Sequence, residues 1–497
     1  MSIASFCFVV TVIVTLLITA VAGRRGQRRA DLYAAGGKLK GWQNGLAITG
    51  DFLSATTVLG ITGLYVGSGW DTAIFYLAPL AGLTLMLVLV AGPMRRLGRY
   101  TLGDVMTSRL DDGRLRVFIG VNAVGISLAY LLAQMVGAGT LISLLFGLDF
   151  TAAVAIVGSL MATYVAVGGM LAATWVQMVK AVLLAGAVVL LSVLALARIG
   201  SLGSLYARAG SASGLGHVIV VPGGMHLSLF SSLSLGFGMV LGFVGLPHLL
   251  IRFFTVGNAR DARRSVSFAT TLIALINILL FVVVGPAAVA LVTGNPHYAD
   301  AAGHLKGGVN MATVHLADAL GGEWLTGIVA AIAFSTILAV VAGLTIAASS
   351  ATAHDVVKTL IRPRALTENG EVLVFRLTAV VISLLAMGLA LVFQHENVAF
   401  LSALAFGIAA STNFPLLMLV LYWPRLTTAG ALAGGLVGLV GSVTLIVLSP
   451  AVWVKLFHFP APVFPSDYPA LVTAPLAFAT AVLVSLWSAN SVADNRA

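Results

Sequence analysis

Charge is what this 497-residue chain has least of: Asp, Glu, Lys and Arg make up 9% of it, against 59% hydrophobic residues. Soluble proteins carry about 25% charged residues. No soluble fold of this length could bury so much apolar surface, so an all-α polytopic membrane protein is expected. Acidic residues are the scarcer sign, 17 against 27 Lys and Arg, which leaves a net charge of +10. That excess implies no nucleic-acid partner, because the arginines sit in short loops between apolar runs, as membrane topology requires. Cysteine is almost missing, and the single Cys7 excludes an internal disulfide framework. The sequence also lacks a paired nucleophile and base, a metal-ligand cluster and a phosphate-binding loop. No enzymatic chemistry is expected.

What is present is apolar length. Thirteen segments can cross about 30 Å of hydrocarbon: residues 3–23, 42–66, 72–93, 116–146, 150–167, 171–197, 227–254, 268–293, 323–353, 371–393, 397–422, 427–449 and 468–488. In the first, the arginines follow the apolar run, so it reads as a retained span and not a signal peptide. Odd-numbered connections collect the basic residues: Arg24 to Lys40, Arg95 to Arg116, Arg260 to Arg264, Lys358 to Arg364, and Arg425. The third of them, near Gly168-Gly169, is short and uncharged. The positive-inside rule then puts the N-terminus outside and the C-terminus in the cytoplasm, in a plasma (inner) membrane. The longer external loops, 198–226 and 294–322, read as surface caps.

Two spans are interrupted in corresponding places. Span two contains "GDFLSATTVLGITG" from Gly50, and span seven contains "LSLGFGMVLGFVGLPHLLIRFF" from Leu233. Glycines loosen a helix and Pro247 cannot donate to its ladder. Lying five spans apart, the two cross the membrane in opposite directions, the pattern of inverted-repeat transporters. The expected organisation is a peripheral span and basic loop over 1–39, a first repeat over 40–198 (spans two to six), a loop over 199–226, a second repeat over 227–424 (spans seven to eleven), and peripheral spans over 425–497.

With "GDFLSATTVLGITG", the segments "RRLGRYTLGDVMTSRL", "AQMVGAGTLI", "ATWVQMVKAVLL", "GLPHLLIRFFTVGNARDARRSV", "FSTILAVVAGLTIAASSATAHD" and "AFGIAASTNFPLLMLVLYWPRLTTAGALAGG" occur in this order. Over about residues 40–435 the chain resembles the sodium/solute symporter family of the LeuT-fold superfamily, most closely its cation/acetate symporter branch. The resemblance implies a LeuT-like 5+5 inverted repeat and uptake of acetate and similar monocarboxylates with a cation.

A small carboxylate needs donors in a dry site, and the positive end of a half-helix supplies them. The candidates for substrate contact are Ser54, Thr56 and Thr57 after the first break, Gly242 and Gly245 before the second, Gln134 in span four, and Asn413 in span eleven. For each, a structural use competes: helix packing for the glycines, local backbone bonding for the hydroxyls, interhelix bonding for Gln134. His248 reads as lying near the cytoplasmic edge, and Lys180 as snorkelling toward it.

For the cation, the resemblance implies sodium held by the carbonyls of Gly50 and Leu53 and by a hydroxyl pair some four turns before Asp355. That count lands on Ala339-Val340, which have no side-chain oxygen; Ser335, Thr336 and Thr345 are the hydroxyls in reach. The alternative is a proton carried by Asp51, the one acidic residue well inside an early span. The expected coupling ion is therefore H⁺ in preference to Na⁺, with no other cofactor. The expected partners are a small carboxylate and membrane lipid; nothing in the sequence sets an oligomeric state. Other solutes (proline, sugar, pantothenate, urea), a passive channel, or the membrane module of a sensor are the competing readings. The sensor is disfavoured because only a short tail follows span thirteen.

Overall fold

The computed structural model describes residues 3–23, 39–97, 101–212, 216–361 and 368–494, and among them it is helical throughout, with two isolated bridges, Leu39 to Val256 and Ala299 to Leu305. Nine helices are long and apolar enough to cross a membrane, and ten once the bent pair Leu229–Gly245 and Pro247–Phe254 is joined. One of the nine, Thr56–Leu97, holds the second half of span two and all of span three. Adding the shorter helices Ile3–Gly23, Gly41–Phe52 and Phe150–Ala162 recovers the thirteen segments read from the sequence. The protein is a multi-pass membrane protein. The expected spans five and six lie on one continuous helix, Phe150–Ile199, whose backbone shows no turn between the apolar stretches Phe150–Ala162 and Thr174–Ile199. The side chains of 163–173, where the turn at Gly168-Gly169 is expected, lie outside the described residues.

Local chemistry sets where the spans begin. Asp112, Asp149, Ser228, Asn258, Asn397 and Thr427 each stand at an N-cap and accept from a backbone N–H of the first turn. Such caps satisfy donors that would otherwise be orphaned at the helix start. Span nine, Val309–Leu360, is the centre of the bundle, with its most apolar window 94% buried. It starts earlier than the sequence suggests: a helical segment precedes residue 323 and turns at Gly321 and Gly322, where Gly322 has φ 62°. The loop 198–226 is likewise not featureless. It contains the helix Leu202–Ala212, and Tyr206 donates to the Val282 carbonyl at 3.2 Å.

Two positions show why small residues punctuate the broken spans. A Cβ on Gly50 would run into the backbone of Gln177 in span six, and one on Gly242 into the backbone of Phe406 in span eleven. Glycine there lets backbones touch, which is how helices associate where no water is available to drive them together.

Candidate functional site

The first break is short. Span two is helical to Phe52, Leu53 takes ψ 87°, and a π-turn over Thr56–Gly60 leads into Ile61–Ser68. Several polar groups freed by this break find a partner. Thr57 Oγ1 donates to the Phe52 carbonyl at 2.9 Å, and the Ala55 N–H donates to Gln134 Oε1 at 3.3 Å. Gln134 Nε2 donates to Thr56 Oγ1 at 3.3 Å, and Thr56 shares a 2.5 Å bond with Ser402 of span eleven. Backbone inside a membrane must be satisfied from within the protein, and Thr56, Thr57 and Gln134 do that here. Ser54 faces Tyr130, with 3.4 Å between their oxygens.

The second break lies at Leu246, extended at ψ 119°, between Gly245 and Pro247. Asn413 Nδ2 donates to the freed Gly245 carbonyl at 2.8 Å, and Asn122 Nδ2 donates to Asn413 Oδ1 at 2.6 Å. Asn413 stands in a third interruption: span eleven is helical over Val398–Ser411 and Asn413–Tyr422, with Thr412 between at φ −117°, ψ −72°. Gly242 and Gly245 face the backbone of this span, at Phe406 and Ala409. The structure therefore brings Gly242, Gly245 and Asn413 together as a packing joint, apart from Ser54.

His248 and Lys180 are placed differently from the sequence reading. Neither reaches an edge; both are 2% exposed. His248 follows the second break, and its ring lies 5.5 Å from that of Tyr130, with Nδ1 buried and without a partner. Tyr130 stacks edge-on to Phe406 at 5.4 Å, Phe406 to Phe243 at 6.2 Å, and Phe243 to Phe52 at 5.7 Å. Aromatic rings thus pack between the two breaks, and Ser54, Tyr130 and His248 are polar groups among them. Tyr130 was legible in principle, since it lies one turn before Gln134 on the same face of span four.

On the other side of the first break is Arg252, from the end of the second broken span. It is 1% exposed. Its Nε donates to Asp51 Oδ2 at 2.6 Å, Nη1 to Thr174 Oγ1 at 2.7 Å, and Nη2 to Gln177 Oε1 at 2.5 Å. The two broken spans are joined by this ion pair, across 201 residues. Buried charges persist in membranes when paired and hydrogen-bonded. The pairing weighs against Asp51 as the proton carrier, because a neutral Asp51 would leave the guanidinium buried with neutral acceptors alone.

Span six carries the rest of this cluster on one stripe, Thr174, Gln177 and Lys180. Gln177 Nε2 donates to the Ala339 carbonyl at 3.0 Å, and Lys180 Nζ to the Thr336 carbonyl at 2.8 Å. Of the sodium donors expected at Gly50, Leu53, Ser335 and Thr336, two have a neighbour on span six. Gln177 packs on Gly50, and Lys180 holds the Thr336 main chain.

Paired broken helices, packed against each other through aromatic rings and joined by a buried charged cluster, define a membrane carrier of the LeuT-like inverted-repeat class. Residues 32–438 match the Sodium:solute symporter family, and the chain belongs to that family, whose members are transporters and not enzymes. It is similar over 98% of both chains, at TM-score 0.76 and 16% identity, to a Na⁺-coupled sialic acid symporter in a substrate-bound outward-open state with a novel Na⁺ site. It is also similar, at TM-score 0.53 and 14% identity over 94% of this chain and 96% of the other, to a nucleobase-cation-symport-1 family transporter in a closed conformation with bromovinylhydantoin bound. These two likenesses establish the LeuT-like fold.

Proposed function

We propose that the protein is a secondary active symporter importing acetate and related short-chain monocarboxylates by alternating access, driven by a cation gradient with H⁺ favoured over Na⁺, and with its basic loops in the cytoplasm. The observation that carries the substrate reading is the set of buried polar groups between the breaks. Ser54 and Tyr130 offer hydroxyl donors, His248 offers a ring nitrogen, and aromatic rings close around them. A carboxylate needs a few well-placed donors and exclusion of water, and a small one fits walls that leave these side chains almost fully buried. Ser54 thus keeps the substrate role expected of it; Thr56, Thr57, Gln134 and Asn413 shape the pocket through the backbone. The missing hydroxyls at Ala339-Val340 support the proton.

A second reading, Na⁺-coupled carriage of another small solute, draws on the family and on the Na⁺-coupled sialic acid symporter of similar fold. One assay separates the two. Purified protein in liposomes is given labelled acetate with a pH or a Na⁺ gradient imposed separately, and protein-free vesicles are subtracted. Saturable uptake driven by the pH gradient alone is expected. Uptake driven only by Na⁺ would refute the H⁺ preference, and absence of saturable uptake under either gradient would remove acetate.

A further inference from the structure

At the basic-loop end of the bundle, spans two and eight enclose a groove that lies outside the carrier site. Span eight is helical from Ala259 to Val292 and packs on the Gly41–Phe52 helix of span two. The groove between them holds about 710 Å³. Its mouth is charged, with Lys40, Asp261 and Arg264, and its length is apolar, with Phe268, Leu272 and Leu275. Trp42 stands at the mouth, and Trp42, Phe268 and Leu275 are all exposed.

On span eight, Arg264, Phe268, Thr271 and Leu275 follow one another at helical spacing, so they share one face. From Arg264 to Leu275 that face runs roughly 16 Å at the α-helical rise, about the depth of one leaflet's hydrocarbon. Span two lies close against it because Gly41 has no side chain; a Cβ there would meet Arg264 Cβ and the Asp261 carbonyl. The charges at the mouth do not cancel. Asp261 Oδ2 accepts from Asn258 Nδ2 at 2.8 Å, and among the described residues neither Lys40 nor Arg264 has an ion pair. Two cations against one carboxylate leave a surplus of one positive charge. Arg260 and Arg263, exposed on the same first turns of span eight, add to it.

We propose that this groove is a binding site for an anionic phospholipid of the phosphatidylglycerol type, drawn from the leaflet on the basic-loop side. Its phosphate lies between the Lys40 ammonium and the Arg264 guanidinium, whose fork of N–H donors matches phosphate oxygens. One acyl chain follows Phe268, Thr271 and Leu275. Trp42 marks the headgroup level, where Trp is enriched. A zwitterionic lipid brings no net charge to the mouth, and a free phosphate has no chain for the groove, so neither matches both halves. Basic pockets between membrane helices are where anionic headgroups are held. Lys40 belongs to span two and Arg264 to span eight. The bound lipid therefore ties the first broken span to its neighbour and favours this arrangement over one in which the two helices part.

The test uses full-length protein in detergent, titrated with phosphatidylglycerol, phosphatidylcholine or water-soluble glycerol phosphate, and read by thermal melting. Phosphatidylglycerol should raise the melting temperature saturably, with half-saturation about tenfold tighter than for phosphatidylcholine. Glycerol phosphate should have no effect. Lys40→Gln combined with Arg264→Gln removes the headgroup cations, and Thr271→Trp fills the path of the chain. Each change should bring phosphatidylglycerol down to the phosphatidylcholine level. Equal half-saturation of the two lipids on the wild type, an equal rise with glycerol phosphate, or full lipid selectivity in either variant would overturn the proposal. Where a variant does not fold, the wild type decides through phosphatidylglycerol carrying a photoreactive group in its acyl chain. Labelling between Phe268 and Leu275 supports the site, and labelling confined to other helices overturns it. With Leu275 replaced by a photoreactive residue, capture of lipid likewise supports it, and capture of a second copy or of another segment of this chain overturns it. No transported solute enters these readouts, so they hold whichever solute the carrier moves.

Discussion

Two charged clusters occupy this molecule, and they are built on opposite principles. The one in the membrane core is Asp51, Arg252 and Lys180, each 2% exposed or less. Arg252 has three acceptors there, but Lys180 has one, and one carboxylate oxygen, Asp51 Oδ1, is buried with none. The other lies at the basic-loop end of the bundle. Arg116 pairs with Asp104 at 3.0 Å and with Asp355 at 3.4 Å, His354 lies between Asp104 and Glu371 at 3.1 and 3.4 Å, and Lys358 reaches Glu371 at 3.7 Å. Thr101 adds a bond to Asp355 and Thr107 accepts one from Arg116. This second cluster ties together the turn at residues 101–107 and the ends of spans four, nine and ten. Redundancy suits a clasp between helix ends, where losing one pair leaves others. In the core cluster, losing the one ion pair leaves no other to replace it.

The comparison can be broken most forcefully at Arg252. Arg252→Met leaves the Asp51 carboxylate buried and unpaired, a loss of about 3–5 kcal/mol. Adding Asp51→Asn should recover much of it. Thermal melting in detergent checks this, and equal melting of the single and double variants would mean that the pair is not the core's support. Arg116→Ala should cost less, about 1–3 kcal/mol, as expected for unsatisfying a buried carboxylate that keeps another partner. Its melting temperature should also respond less to added salt than the wild type's, because only the rim network is screened. Tyr130→Phe removes one pocket hydroxyl without disturbing either cluster. It should weaken acetate half-saturation about tenfold, equivalent to roughly 1.4 kcal/mol, with melting unchanged. Lys358→Ala, half-exposed and 3.7 Å from its partner, should change stability by less than about 1 kcal/mol. An effect there as large as at Arg252 would erase the distinction between the clusters.

Much of this architecture was legible in the chain. The apolar runs marked the spans, and Gly50-Asp51 and Gly245 to His248 marked both breaks, because glycine, proline and charge are costly in a lipid-facing helix and need a reason to be there. The partners were not legible. Whether Arg252 and Lys180 snorkel or are buried depends on what stands opposite, and those groups lie 201 and 156 residues away in sequence. The same limit applied to Thr57 and Gln134. Their residue types pointed to a polar role, but only the geometry of the break showed which backbone group each one would satisfy.

The far end of the second break is also sewn to the start of the first broken span. The Leu39 N–H donates to the Thr255 carbonyl at 3.1 Å, Asn44 Nδ2 donates to the Arg252 carbonyl at 3.1 Å, and Thr255 Oγ1 donates to Asn44 Oδ1 at 2.9 Å. With the Asp51 ion pair, these stitches make the two half-helices on that side a single lever. Any motion that opens the pocket toward the basic loops must swing both halves at once, so the breaks serve as paired hinges that turn in step.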